Sequence, residues 1–530
     1  MNNIINTMLY EKFGAFSKYA YNILRMADEK NVNSLHELVK YCGFSYKFVR
    51  EIFYVLSERI ELDKDSFSLD DLRTCIEKKE DDTDDVSKII SDKMDMIINQ
   101  FNYSDPNLDH IPATAETCSK RACYLFENFD VERIKILFLG DHDLTSIAFA
   151  LLCLIKKKKC NIYITDIDNK ILGFISEKSK EIGVDINISH ADFRYSIPSS
   201  YIDDMDVIFT DPPYTAEGMG VFLDAGIQCL KNNPFSTILI CYKTAEMSNK
   251  LGVLVQKELM QRKLYISSMY GNFNVYYQAE ALGYRSDLYI CRVTPDSFKS
   301  LGNQNYNYNI YTHGIDAIET AKDDKEYQEI FEILGKRVVN EKKIYYITSR
   351  KMDKSLQKKG IINVSMDNYI RNKLSGKSNI IENNMIVVDC SKENLCYGFK
   401  TLLLMNYNSY YCVIQNKQEN AFKNSVVNII LGHFFDREVI LKKQYIIYKY
   451  VRKKIIEEKG VKILYNMFCS NRSSTINSFK KNASNIMGIT KNEAKKMYYQ
   501  MKLGFDEKLP IFYLCDSDLN KLYAQVISIK

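Results

Sequence analysis

Five aspartates stand where an α/β chain meets its ligand. The stretch 136–148, ILFLGDHDLTSIA, reads as a buried strand, a tight turn at Gly140 and a helix opening at Leu144, Thr145 and Ser146. Nucleotide-binding domains fill that turn with glycines, so that backbone amides can approach an anionic or zwitterionic ligand. Here Asp141, His142 and Asp143 fill it. Further acids close the next strands: Asp166 in YITDID, Asp192 in SHADF and Asp211 in TDPPYT. Ligands of a doubly wound sheet lie outside the carboxyl ends of its strands. An ordered set of acids there describes an adenosyl pocket, with Asp166 accepting from both ribose hydroxyls and Asp192 from an adenine amino group.

The segment DPPY (211–214) is the sharpest signal. Consecutive prolines stiffen the backbone after the strand. Asp211 can accept from a substrate amine, and Tyr214 offers an aromatic face to a cation. Asp141 and Asp143 would repel the carboxylate of intact S-adenosylmethionine. Decarboxylated S-adenosylmethionine presents only an aminopropyl ammonium, and a polyamine acceptor adds further cations, both suited to a carboxylate-lined cleft. Transfer to an amine needs a carboxylate that orients the nitrogen and takes its proton. Asp143 and Asp211 are assigned that catalytic task, Tyr214 walls the amine channel and Asp141 holds the donor ammonium. The alternative for one turn acid, Asp143 above all, is that it caps the following helix.

These residues need a sheet to hold them. From about 110 to 295, apolar strands alternate with amphipathic helices, the pattern of a mostly parallel doubly wound sheet. The strands fall at 134–139, 161–166, 186–189, 205–211, 236–241, 263–270 and 286–293, the seven of a nucleoside-sulfonium transferase. Before it, 34–56 has the shape of a helix-turn-helix: a Ser34 cap, a Gly43 turn and a second helix opened by Ser45. The piece DSFSLD would be a wing. The second helix has only Lys47 and Arg50 as basic residues, with Glu51 among them, which is thin for phosphate contact. It reads as a winged-helix unit used for packing or dimer contact, so a homodimer is among the expectations and nucleic acid is not. The charged run 77–88 reads as a solvated linker. Residues 311–530 read as a second α/β region of unknown fold, with strands such as KKIYYIT, MIVVDC and YYCVIQN. There LKKQYIIYKYVRKK (441–454) reads as a helix with a solvated basic face, or as a patch for an anionic partner.

The totals bound the rest. A chain of 530 residues is too long for one ordinary domain. A net charge of +5 does not by itself announce nucleic acid. Fourteen cysteines without C-x-x-C or zinc spacing point to reduced thiols in a cytoplasmic protein and to no metal. The longest apolar run, 147–155, is far short of the roughly 20 residues of a spanning helix, so no membrane is expected.

The segments ATAETCSKRA (113–122), ILFLGDHDLTSIA, ITDID, FTDPPYTAEGMGVFLDAGI (209–227) and AEALGYRSDLY (279–289) resemble the branched-chain polyamine synthases, the bis-aminopropyl spermidine synthase family. The resemblance covers roughly residues 1–315. It implies a winged-helix domain at 1–100 and a Rossmann-like aminopropyltransferase domain at 108–315. Residues 316–530 lie beyond the family's usual length. It further implies donor binding by Gly140, Asp141, Asp166, Asp192, Glu116 and Thr117. Acceptor binding falls to His142, Pro212, Tyr214 and Gly218. The co-substrate is decarboxylated S-adenosylmethionine, without metal, and the acceptor a polyamine such as spermidine, giving a branched product. Two departures stand out: His142 replaces the middle acid of the family's G-D-D-D turn, and His110 replaces a Gln before T-x-E-T. The rival readings are an amino-group methyltransferase using intact S-adenosylmethionine, supported by DPPY, and a DNA-binding regulator that senses a polyamine or nucleoside.

Overall fold

The computed structural model describes residues 2–76, 85–101, 103, 105–244, 248–277, 283–301, 310–312, 330, 343–348, 361–376, 384–391, 395–442, 444–469 and 473–529. Most of the charged run 77–88, part of AEALGYRSDLY and the boundary at 315 and 316 lie outside the described residues.

The chain opens with helices around a core of its own. Ser34 caps the helix Leu35–Cys42 by accepting from the Glu37 amide, and Gly43 ends it at φ 70°. Ser45 then caps Tyr46–Val55. Two short antiparallel strands, β1 (Leu62–Asp63) and β2 (Ser66–Phe67), follow where DSFSLD lies. Phe48 of the second helix packs against Phe13 and Phe235, the latter in the central region. Its neighbours Lys47 and Arg50 are exposed. Tyr10 donates to Asp206 as Lys231 does, and the Arg292 guanidinium lies 3.8 Å from the Phe16 ring.

The central sheet has the seven expected strands: β3 (Lys135–Leu139), β4 (Asn161–Asp166), β5 (Ile186–His190), β6 (Val207–Thr210), β7 (Thr237–Tyr242), β8 (Tyr265–Val275) and β9 (Arg285–Arg292). Their order is β5-β4-β3-β6-β7-β9-β8, with β5, β4, β3, β6 and β7 parallel and β9 antiparallel to both neighbours. Both faces are covered, which is why these strands read as continuous apolar runs. Leu137 and Leu139 enter one core, Ile136 and Phe138 the other. The helix Asp85–Phe101 belongs here as well, since Ile90 and Met94 join the second of those cores.

A second sheet follows, made of β10 (Ile344–Thr348), β11 (Ile361–Ser365), β12 (Met385–Asp389), β13 (Ser409–Gln415), β14 (Phe435–Lys442) and β15 (Tyr445–Arg452). Its order, β11-β10-β12-β13-β15-β14, repeats the first sheet without the third strand. The directions repeat too: four parallel strands, then a hairpin whose last strand inserts antiparallel beside β13. The stretch 441–454 is therefore no helix. Apolar residues at 446, 447, 450 and 451 fit a helical stripe, but Tyr445 and Ile447 enter one core while Ile446, Tyr448 and Tyr450 enter another. Flanked on both sides, such a β-branched and aromatic run packs as an interior strand. Among the described residues no helix is long and apolar enough to cross a membrane.

Candidate active site

A cleft of about 490 Å3 opens at the carboxyl ends of β3, β4, β5 and β6. Gly140 and His142 form its floor after β3, Asp166 and Ile167 follow β4, Asp192 and Phe193 follow β5, and Asp211 and Pro213 follow β6. Gly140 stands at φ 70°, and a Cβ there would meet the Phe222 ring at 3.3 Å, so only glycine fits. Leu108, Asp109 and His110 face Ile310 and Tyr311 across the opening. The Thr312 amide and hydroxyl both donate to the Asp109 carboxylate.

The acids divide by what already holds them. Asp166 accepts the Asp141 amide on Oδ2 at 3.0 Å and the Asp168 amide on Oδ1 at 2.8 Å. Burial raises its pKa to about 6 and the Asp168 charge adds to the rise, against those two amides and His142. Each oxygen keeps a lone pair for a ligand. Asp192 lines the cleft with both oxygens engaged by the Arg194 guanidinium, at 2.6 Å in the shortest contact. Its charge is thus paired before any ligand arrives.

Asp141 and Asp143 are not among the residues that line this cleft, and protein groups engage both carboxylates. Asp141 is the helix cap: Oδ2 accepts from the Ser146 hydroxyl at 2.5 Å, and the Ser146 amide donates at 3.3 Å. Leu144, the residue at the N-cap of Thr145–Ile155, is left-handed at φ 59° and offers no side-chain cap. The acid three residues upstream serves instead. Burial raises Asp141 to about 7, with the Ser146 bonds opposing. Asp143 accepts from the Ala113 amide at 2.7 Å and from Arg121 Nη1 at 2.6 Å. Burial alone would raise its pKa, but His142, Arg121 and the Ala113 amide hold it below the ordinary carboxylate value. Such a group stays ionised and paired.

Arg121 is the centre of the arrangement, and the sequence reading gave it no role. It is fully buried; Nη2 donates to Asp211 Oδ2 at 2.9 Å and to the Tyr276 hydroxyl at 3.1 Å, and Nε donates to Asn274 at 2.8 Å. Tyr276 in turn donates to the same Asp211 oxygen at 2.7 Å. The hydrogen bonds to Asp211 from described residues thus fall on Oδ2. Burial raises Asp211 to about 6, against the pull of Arg121. A carboxylate of that kind, fixed on one oxygen, can orient an amine and take its proton near neutral pH.

The remaining expected residues are placed elsewhere. Glu116 is exposed on the helix Ala115–Asn128, and Thr117 donates to the Val275 carbonyl, so both lie outside the cleft wall. Pro212 is buried behind Pro213. The Tyr214 ring stacks on Tyr242, centroids 5.3 Å apart, and its hydroxyl is buried with no close hydrogen-bond partner among the described residues. A Cβ on Gly218 would stand 2.8 Å from the Ile310 carbonyl oxygen, so this glycine lets 310–312 close on the helix start. It thereby spaces the cleft's edge. His142 does face the cleft: it stacks on His110, 4.9 Å between centroids, and its Nε2 meets the Ile111 carbonyl at 3.1 Å.

Arg121 had a signal. Thr117, Cys118, Arg121, Ala122 and Leu125 form the buried stripe of their helix, and an arginine inside such a stripe announces a buried partner. Asn274 and Tyr276 were hidden because 263–270 was read as the whole strand. Asn272 at φ 53° and the shifted register between Tyr270 and Asn274 look like a turn in sequence, yet β8 runs on to Val275.

Residues 90–343 match the branched-chain polyamine synthase A C-terminal domain. An uncharacterised protein of Methanocaldococcus jannaschii is 33% identical over 195 residues, 37% of this chain and 47% of that one. The N(4)-bis(aminopropyl)spermidine synthase of Thermococcus kodakarensis is 28% identical over 222 residues, 42% of this chain and 60% of that one. The chain thus spans about half to three fifths of the length of these relatives. Among solved structures, the branched-chain polyamine synthase of Thermus thermophilus, in complex with N4-aminopropylspermidine and 5'-methylthioadenosine, aligns at 17% identity and a TM-score of 0.34, covering 52% of this chain and 87% of that one.

Proposed function

We propose that the chain, whose residues 90–343 match the branched-chain polyamine synthase A C-terminal domain, is a member of that family and an aminopropyltransferase. It moves the aminopropyl group of decarboxylated S-adenosylmethionine to a polyamine nitrogen, with spermidine the acceptor suggested by the names of its relatives. The observation that carries the reading is Asp211, an acid tuned to about 6 at the mouth of a nucleoside-type cleft. The acceptor nitrogen attacks the carbon bonded to the sulfonium, that carbon–sulfur bond breaks, methylthioadenosine leaves neutral, and Asp211 takes the nitrogen's proton. Asp166 holds the ribose. Arg121 and Tyr276 keep Asp211 in place, and Asp143 holds Arg121.

One observation favours the methyltransferase reading. With Asp141 turned to Ser146 and Asp143 paired to Arg121, the exclusion of a donor carboxylate rests on Asp166 and Asp211. Incubating the protein with either sulfonium donor and spermidine, then reading masses, decides: an added aminopropyl group supports transfer as proposed, an added methyl overturns it, and no change leaves a binding protein.

The first unit is read as a winged helix that packs, because its second helix turns Phe48 to Phe235. Its end is placed before Asp85, not at residue 100, since Ile90 and Met94 belong to the central core. The transferase domain is taken to begin with the helix Asp85–Phe101 and to run to 315, and 316–530 is taken as the unit with the second sheet. The protein is taken to be cytoplasmic.

A further inference from the structure

The second sheet repeats the transferase order, and its unit lies against the two loops that wall the nucleoside side of the cleft. β5 is the edge strand of the first sheet, and the loop that follows it carries Asp192 and Phe193 into the cleft. Three side chains of the second unit grip that loop and the strand end before it. Arg371 Nε, from the helix Met366–Ser375, donates to the Tyr195 carbonyl at 2.9 Å. Tyr397, from the helix Leu395–Leu403, stacks on Tyr195 with centroids 5.6 Å apart and planes 10° from parallel, and its hydroxyl meets that of Ser196 at 3.2 Å. Lys400, buried on the same helix, donates to His190 Nδ1 at 2.8 Å and to the Leu514 carbonyl.

His190 carries the contact on to the other loop. With Nδ1 accepting from Lys400, the ring's proton sits on Nε2, which meets the Ile167 carbonyl at 3.0 Å. Ile167 lines the cleft beside Asp166. The Asp516 amide, near the chain's end, donates to Asn169 in the same turn at 2.9 Å. Both loops that present acids to the nucleoside are therefore tied to residues beyond 365.

We propose that the second sheet unit is a positioning element for nucleoside binding, acting through Arg371, Tyr397 and the Lys400–His190–Ile167 relay on the loops 166–169 and 190–196. The proposal rests on the reading of the cleft as a nucleoside site. It assigns the unit with the second sheet no chemistry of its own. The acid after β6, which meets the acceptor, receives its bonds from Arg121 and Tyr276, so loosening the second unit changes donor binding and leaves acceptor binding alone.

The test uses the full chain with Arg371→Ala, an exposed residue whose loss leaves the fold standing, and Lys400→Met as the buried counterpart. Hydrogen exchange of 190–196 is followed without ligand, methylthioadenosine affinity by calorimetry, and KM for each substrate with kcat. Faster exchange in 190–196, methylthioadenosine binding weaker by about fivefold or more, a raised donor KM and an unchanged acceptor KM support positioning. Arg371→Lys should recover part of the affinity. Unchanged exchange, or donor and acceptor KM rising together, overturns it even if the wild-type protein binds methylthioadenosine. A wild-type protein that binds no methylthioadenosine overturns the nucleoside reading itself.

Discussion

At the carboxyl ends of β3, β4 and β6 stand Gly140, Asp166 and Asp211, around an open cleft. Matching the two sheets by register, through Leu139 with Thr165 and Thr210 in one and Ile347 with Val364 and Val388 in the other, puts Thr348, Ser365 and Asp389 at those positions in the second. The acid after the fourth strand survives, but its chemistry does not. Asp389 Oδ2 accepts from Tyr346 at 2.9 Å, and Oδ1 accepts from the Ser391 amide and hydroxyl. Asp211 has protein bonds on one oxygen and Asp389 on both. The broad cleft of the second unit, about 1160 Å3, opens at the opposite end of its strands, beside Asn408, Arg452 and Lys462. One strand order thus carries the acid proposed to react in one place and an acid bonded on both oxygens in the other. The partners of the carboxylate, not the topology, decide which.

The sharpest way to break that contrast is to neutralise each acid in turn. Asp211→Asn should lower kcat by about 10^2–10^4-fold, the usual worth of a positioned base, while methylthioadenosine affinity holds. Asp389→Asn should leave kcat where it is and cost about 1–3 kcal/mol of stability, because Tyr346 and Ser391 lose a charged acceptor. Equal losses of activity would mean that Asp389 is no mere structural residue. Denaturant melts and steady-state kinetics on the pair read both quantities.

Arg121→Met should come next in size. It leaves Asp143 and Asp211 buried without their shared cation, a loss of about 3–5 kcal/mol for a broken buried pair. Whatever folds should also have a changed pH profile. Without the guanidinium the Asp211 pKa rises above about 6, so the acidic limb of the rate profile moves to higher pH. A profile with an unmoved limb would show that Asp211 is not the titrating base.

A smaller effect reaches the whole molecule. Asp141, Asp166 and Asp211 have folded pKa values of about 7, 6 and 6, above the ordinary carboxylate value. Between pH about 4 and 7 the folded protein therefore binds more protons than the unfolded chain, and these groups make stability fall as pH rises through that window. A bound polycation offsets the exposed cost of charge at the upper end. The thermal midpoint of the ligand-free protein should drop from pH 6 to pH 8, and spermidine should raise it more at pH 8 than at pH 6. A ligand-free midpoint that climbs over that interval would contradict the raised values.

Why some of this was legible and some not follows from the kind of information each part needs. Seven strands and the caps at Ser34 and Ser45 are local: apolar runs and oxygen-bearing caps report themselves within a few residues. So are acids at strand ends, which brought Asp166, Asp192 and Asp211 to one cleft. Roles were not local. Whether Asp141 or Asp143 caps the helix depends on a left-handed Leu144 and on an arginine from another helix. The 441–454 run was ambiguous because four apolar positions satisfy two periods, and only neighbours on both sides settled the strand. The repeat of the strand order was invisible, since topology leaves no trace in spacing once the residues at the strand ends have changed.

His142 gives the finest probe of the difference between the two sets of strand ends. Burial alone would lower its pKa, but Asp143, Asp211, Asp166 and the Ile111 carbonyl overcome that and raise it above the ordinary value of 6.5. It is therefore cationic at pH 6 and loses that charge as pH climbs through a value above 6.5. His110, stacked on it, is held neutral by burial and by His142 itself. A cation in the turn opposes a cationic acceptor, so wild-type affinity for spermidine should strengthen from pH 6 to pH 8. The acids of the cleft ionise over the same range and push the same way, so the wild-type curve alone decides nothing. His142→Gln isolates the histidine, because acceptor protonation and the acids are nearly common to both proteins. At pH 6 the variant should bind spermidine several-fold more tightly, for a repulsion of about 1 kcal/mol at the effective dielectric of a cleft. The difference should shrink as pH climbs and the imidazole loses its proton, and methylthioadenosine, which is uncharged, should show no such difference at either end of the range. Superimposed spermidine curves would mean that the imidazole turns its charge to Asp143 alone and that the acceptor never meets it.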